Sequence, residues 1–215
     1  MKRNTQKPRV DSLPRLTIKR VARRLIAERG VGNVTVRKIA QAAGQKNMGA
    51  VAYYFGTKDA LISEILIDGA SRIEKRRQKF LKKFEVSGGP HSVGEAVDAI
   101  VRPSAEFSDL DEEYGEYFNL FLLQLSLNNS ELIDSTLEGH WNTAYQRCLA
   151  HLRRLTCNLS RAEQNRRFLF LAAYVSSLLA TREQMFHDRS RDHPTWRSPK
   201  TLDDIVHTAA AIVLA

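Results

Sequence analysis

Cysteine, proline and glycine are all scarce in this sequence, with 2, 6 and 11 among 215 residues. Cys148 and Cys157 stand nine apart with no CxxC spacing and no second pair. A disulfide framework is therefore excluded, and a reducing, cytoplasmic setting fits. The histidines (His91, His140, His151, His187, His193 and His207) never recur at i+3 or i+4, which removes HExxH-type metal sites. G-x-S-x-G, P-loop and GxGxxG patterns are also missing, so no metal, cofactor or catalytic nucleophile is expected and the chain reads as a non-enzyme. The uncharged stretch from Phe168 to Ala180 covers 13 residues and includes Tyr174 and two serines, too short and too polar to span a bilayer. The basic start (Lys2, Arg3, Lys7, Arg9) leads into no apolar run, so no signal peptide is read there.

What the sequence does have is an uneven charge. Its formal net charge is +9. Residues 1–60 carry 14 Lys and Arg against Asp11, Glu28 and Asp59, a surplus of +11, while the remainder is slightly acidic. A surplus confined to the first quarter of the chain points to a polyanionic partner, nucleic acid or an anionic surface, rather than to general solubility.

With so few helix breakers and almost no strand-like alternation, the chain reads as all-α. Residues 1–11 form a basic, polar arm expected to be disordered. A first helix spans about 14–29, with Ser12 as N-cap, Pro14 in the first turn and Gly30 as the stop. Leu16, Val21, Leu25 and Ile26 form its inward stripe, and Lys19, Arg20, Arg23 and Arg24 are expected to face outward. Thr35 caps a second helix ending at Gly44, a third runs over about 47–54, and Thr57 caps a long fourth reaching about Phe84. Ser87-Gly88-Gly89-Pro90 ends it. Further helices are expected near 92–107, 113–127, 130–156, 160–187 and 202–214, about nine in all.

The informative stretch is helix, glycine turn, short helix. Ile39, Ala40 and Ala43 are apolar or small on one face of the second helix, and Val51 and Phe55 form the inward face of the third. The other side of the third helix carries Lys46, Asn47, Ala50 and Tyr53, slim or polar enough to enter a major groove roughly 12 Å wide. The helix starts near Thr35 and Thr57, with Lys58, suit phosphates.

With Ala27-Glu28-Arg29-Gly30, Thr35-Val36, Ile39-Ala40, Ala43-Gly44, Tyr53-Tyr54-Phe55 and Lys58-Asp59-Ala60-Leu61, residues 15–66 resemble the tetracycline-repressor (TetR) family. The resemblance implies a homodimer with a three-helix DNA-binding domain (12–60) and a ligand-binding and dimerisation domain (61–215). It also implies a double-stranded, palindromic operator. Thr35, Arg37, Gln45, Lys46, Asn47, Gly49, Ala50, Ala52, Tyr53, Tyr54 and Lys58 are the DNA-contacting candidates. One departure stands out: ten residues (45–54) separate Gly44 from Phe55 where the common family pattern has nine. The extra residue is placed in the turn at 45–47, which leaves open which of residues 45–49 reads a base.

For the C-terminal part, Phe107, Phe118, Phe121, Leu122, Leu125, Trp141, Tyr145, Leu149, Tyr174 and Leu178 are candidates to line a site for a small, largely apolar effector. The acidic run Asp109, Asp111, Glu112, Glu113 and Glu116 reads as a solvated loop and helix start. Apolar residues on more than one face of 168–186, with Ile205, Val206, Ile212 and Val213, resemble the family's four-helix dimer interface. The expected function is a ligand-released repressor, and the alternatives are an all-helical enzyme or a membrane-surface binder with a basic N-terminal domain.

Overall fold

The computed structural model describes residues 12–138 and 141–215. The basic arm at 1–11 lies outside the described residues. All regular structure among them is helical: α1 (Leu13–Arg29), α2 (Val36–Ala42), α3 (Ala50–Phe55), α4 (Lys58–Glu85), α5 (Val93–Leu110), α6 (Phe118–Asn128), α7 (Ser130–Leu137), α8 (Thr143–Leu155), α9 (Arg161–His187), α10 (Pro194–Arg197) and α11 (Thr201–Leu214).

Local chemistry sets the boundaries of the first four helices. The Thr35 and Thr57 side chains accept from the amides of Lys38 and Ala60, capping α2 and α4. At the end of α2, Gly44 adopts φ +65°, and the amides of Gly44 and Gln45 bond back to the carbonyls of Gln41 and Ala40. That is a Schellman closure, which favours a residue without a Cβ. The long α4 has 28 residues and is therefore about 42 Å long.

The number of helices differs from the sequence expectation in two regions. The single helix expected over 130–156 is two, α7 and α8. Glu138 leaves helical geometry at ψ 120° and Trp141 turns left-handed at φ +59°, in a Glu-Gly-His-Trp-Asn segment with weak helix formers. A short α10 also sits in the loop expected between Asp188 and Lys200, which brings the described helices to eleven.

The apolar interior forms two clusters. One runs from α1 through α3 and α4 to α6, with Ile18, Ile26, Val51, Leu66, Phe107, Phe118 and Phe121 among its members. The other joins α5, α8, α9 and α11 around Val97, Leu152, Leu171 and Val213. The first crosses the junction between residues 60 and 61 without a break.

Lys19 and Arg23 do not face outward. With Arg15 they form an i, i+4, i+8 stripe that is buried on the inner side of α1. Arg15 pairs with Glu64 and donates to the Tyr54 carbonyl, and its guanidinium lies 4.3 Å from the Phe55 ring centre. Lys19 Nζ lies 2.8 Å from Asp68 Oδ2. Arg23 reaches the carbonyls of Glu116 and Glu113, at 2.5 and 3.0 Å. A cation on an amphipathic helix turns inward when tertiary partners replace its water, and here α4 and the segment before α6 supply them.

Candidate nucleic-acid interface and an adjoining cavity

α2 and α3 present one solvent-facing surface. Thr35, Arg37, Lys38, Lys46, Asn47, Met48, Gly49, Ala52 and Tyr53 are all exposed, Tyr53 at 82%. Residues 45–49 form a turn rather than the first residues of α3, because the Asn47 side chain accepts from the Gly49 amide and the helix starts only at Ala50. Gln45 is half-buried and donates to the Ala43 carbonyl. Ala50 is buried, so its side chain points into the core and not toward a groove, contrary to its expected outward position. Tyr54 is half-buried, edge-on to Tyr53 with ring centres 5.0 Å apart. Lys58 Nζ donates to the Val31 carbonyl at 2.6 Å, and its partial burial lowers its pKa against the pull of Asp59. An ammonium has three donors, so this bond leaves others for a phosphate.

Beneath this domain lies a cavity of about 380 Å³. Its wall comes from α4 (Leu66, Ala70, Ile73, Arg77), α5 (Ile100, Ser104) and α6 (Phe118, Asn119, Leu122, Leu123, Ser126). The α7 side contributes Ile133, Leu137, Trp141 and Asn142, α8 contributes Tyr145, and α9 contributes Leu171, Ala172, Val175, Ser176 and Leu179. The volume is at the small end for a ligand site, and the apolar surface with a few polar groups has the general form of one. Burial pushes the Tyr145 hydroxyl up, and it pushes the neighbouring Cys148 thiol to about 11, with Arg77 opposing both shifts.

Between cavity and helix-turn-helix lies a polar junction. Glu183 of α9 is buried, accepts from Ser108 Oγ and from the Leu120 amide at the start of α6, and is pushed up to about 7 by burial, which those bonds and Arg23 oppose. Burial lowers the Arg23 guanidinium to about 10, against the attraction of Glu183, Glu116 and Asp111. Arg182 forms a bidentate pair with Asp109 at 2.7 and 2.9 Å, and Tyr117, left-handed at φ +64°, stacks on His187 at 3.8 Å. The acidic segment is thus a docking surface for α1 as well as a solvated turn, and α6 begins at Phe118, later than expected.

Residues 18–65 match the family model of the bacterial regulatory proteins of the tetR family. The N-terminal domain is a TetR-family DNA-binding domain. The whole fold is similar to a transcriptional regulator from Rhodococcus sp. Rha1, at 18% identity, with 94% of this chain and 96% of that chain covered and a TM-score of 0.54. It is equally similar to the TetR family transcriptional regulator PfmR from Thermus thermophilus, at 16% identity, 92% and 96% coverage and a TM-score of 0.54. No curated protein matches the chain.

Below the TetR-family domain, Phe118, Leu122, Trp141 and Tyr145 are the expected lining residues that the cavity brings together. Phe107, Phe121 and Leu125 are fully buried in the upper core without reaching it. Leu149, Tyr174 and Leu178 pack against the lower cluster instead. The lining residues on α4 and α5 are not among the expected candidates. Leu66, Ala70, Ile73 and Arg77 share one face of α4 by their spacing, and that repeat was the available signal.

Proposed function

We propose that this regulator is a homodimeric repressor that leaves a palindromic operator when a small, largely apolar molecule fills the cavity. The observation that carries this reading is the shared helix. Only Gly56 and Thr57 separate α3 from α4, and α4 supplies the cavity wall at Leu66, Ala70, Ile73 and Arg77. A ligand that favours one position of α4 therefore favours one position of α3, and the coupling is reciprocal.

In this reading Tyr53 and Ala52 touch base edges or thymine methyls. Thr35, Arg37, Lys46, Asn47, Gly49 and Lys58 lie against the backbone around them, with Gln45 and Tyr54 holding the turn and helix in shape. Exposed Leu169 and Phe170 on α9 and Leu214 on α11, at 70%, 62% and 63%, support dimerisation through those helices. Such a protein works in the cytoplasm, where its operator is.

The test is selection of binding sites from random duplexes with the full chain, followed by titration with compounds that raise its melting temperature. Dyad sites whose halves lie about one helical turn apart, or a multiple of it, are expected. A ligand that stabilises the protein and leaves operator affinity unchanged sinks the release mechanism.

A further inference from the structure

Among the described residues, Arg77 is the only charged side chain on the cavity wall. It is 7% exposed. Nε donates to the Ala99 carbonyl at 3.3 Å, and Nη2 donates to the Ile100 carbonyl at 3.3 Å and Ser104 Oγ at 3.0 Å. These bonds hold the guanidinium plane against α5. Among the described residues, Nη1 has no hydrogen-bond partner and no carboxylate lies within ion-pair distance of the group. Glu74, one turn earlier, is buried but faces α8: its Oε1 accepts from the Ala144 amide at 2.8 Å and from Gln78 at 2.9 Å, and it does not line the cavity. Glu74 attracts the guanidinium from beyond ion-pair distance and the Tyr145 ring centre lies 5.5 Å from it, so this desolvated cation has no direct ion pair, and its planar fork matches a carboxylate.

The rest of the wall is largely apolar, with Leu66, Phe118, Leu122, Leu171 and Val175. Resting on the effector reading above, we infer that the effector is an amphipathic carboxylic acid, its carboxylate seated on Arg77 and its hydrocarbon body along those side chains. The carboxylate completes the ion pair that Arg77 lacks, using the donor the protein leaves open. Asn119 and Asn142, also on the wall, add neutral hydrogen-bonding capacity that an alcohol or amide shares, so charge is the discriminating property.

The experiment uses the full-length protein and matched pairs of ligands: hexanoate, decanoate, dodecanoate and 4-phenylbutyrate, each against the alcohol of the same skeleton. Calorimetric titration and the change in tryptophan fluorescence, to which Trp141 on the cavity wall contributes, report binding, and a selected operator duplex reports release. At least one acid is expected to bind about tenfold or more tightly than its alcohol, and Arg77→Met is expected to abolish that preference. Because Arg77 also ties α4 to α5, the wild-type crystal structure with the best acid provides the second measurement, and carboxylate oxygens within hydrogen-bond distance of the guanidinium are expected. Acids that bind no better than alcohols, a preference that survives Arg77→Met, or a carboxylate seated elsewhere would each overturn the proposal. Release of the operator by alcohols alone would overturn it while leaving the effector reading intact. Stabilisation by acids without operator release would do the reverse.

Discussion

The ring of Phe118 occupies the space where Gly69 has no side chain. A Cβ on Gly69 would sit 2.0 Å from Phe118 Cε2. Phe118 opens α6 and lines the cavity, while Gly69 lies mid-way along α4, so this contact joins the cavity to the helix that carries the DNA-binding domain.

Gly69→Ala adds a methyl where there is no room. Overpacking of this kind costs about 1–3 kcal/mol, against a gain of about 1 kcal/mol from replacing glycine inside a helix. A net loss of stability is expected in the wild type. In a Phe118→Ala background the same change should become neutral or stabilising. Urea denaturation of the four proteins checks this, and a Gly69→Ala that stabilises both backgrounds contradicts the contact.

Glu183 carries a pH dependence with a definite sign. Its carboxyl is pushed up to about 7 in the fold from an ordinary 4.5, so the folded state holds the proton more tightly. The native state then binds more protons than the unfolded chain between those values. This group's contribution to stability falls as pH rises through that window, by at most about 1.4 kcal/mol per pH unit, and levels off above it. Arg23, the Arg182–Asp109 pair, Glu116 and His187 surround it and shape the profile. Glu183→Gln is expected to flatten the slope between about pH 5 and 7, measured by denaturation at fixed ionic strength. An unchanged slope would place the titration elsewhere.

Much of the upper part was legible in the sequence because its chemistry is local. Thr35, Gly44 and Thr57 mark helix ends by what their own side chains, or the lack of one, allow. Burial is different, since it depends on partners distant in the chain. Lys19 and Arg23 read as outward until Asp68 and the Glu113 and Glu116 carbonyls are known to lie opposite, at separations of 49 and about 90 residues. Ala50 is ambiguous in sequence because the Asn47 turn shifts the start of α3, rotating the helix relative to the residues before it. Arg77 hid for the same reason as Lys19: a charge interrupting an apolar stripe looks like a solvated position.

DNA reading separates two exposed residues. Tyr53→Ala is expected to cost on the order of 1–3 kcal/mol on a selected operator and much less on random duplex. Arg37→Ala should weaken both alike and reduce the log–log salt slope by about 0.9. Lys58→Ala should do the same and also lower the melting temperature, because its ammonium holds the Val31 carbonyl. Equal losses for Tyr53→Ala on both duplexes would remove α3 as the sequence reader.

Assembly is checked by mass. The chain weighs 24.4 kDa, and light scattering at micromolar concentration should give twice that. Phe170→Glu, at an exposed position of α9, should return the single-chain mass with its helical circular dichroism intact. A wild-type protein at the single-chain mass would refute the dimer.

The inward stripe of Arg15, Lys19 and Arg23 bears on how interchangeable the DNA-binding head is. Cutting the chain at residue 60 and grafting the first part onto another ligand-binding body separates three buried cations from Glu64, Asp68 and the carbonyls before α6. The transplanted head would then lose these long-range partners on the surface that must pack. A functional chimera needs its crossover beyond Asp68, with the recipient's own segment ahead of α6 rebuilt to receive Arg23. The unit that evolution or an engineer can exchange here is therefore larger than the motif that recognises DNA.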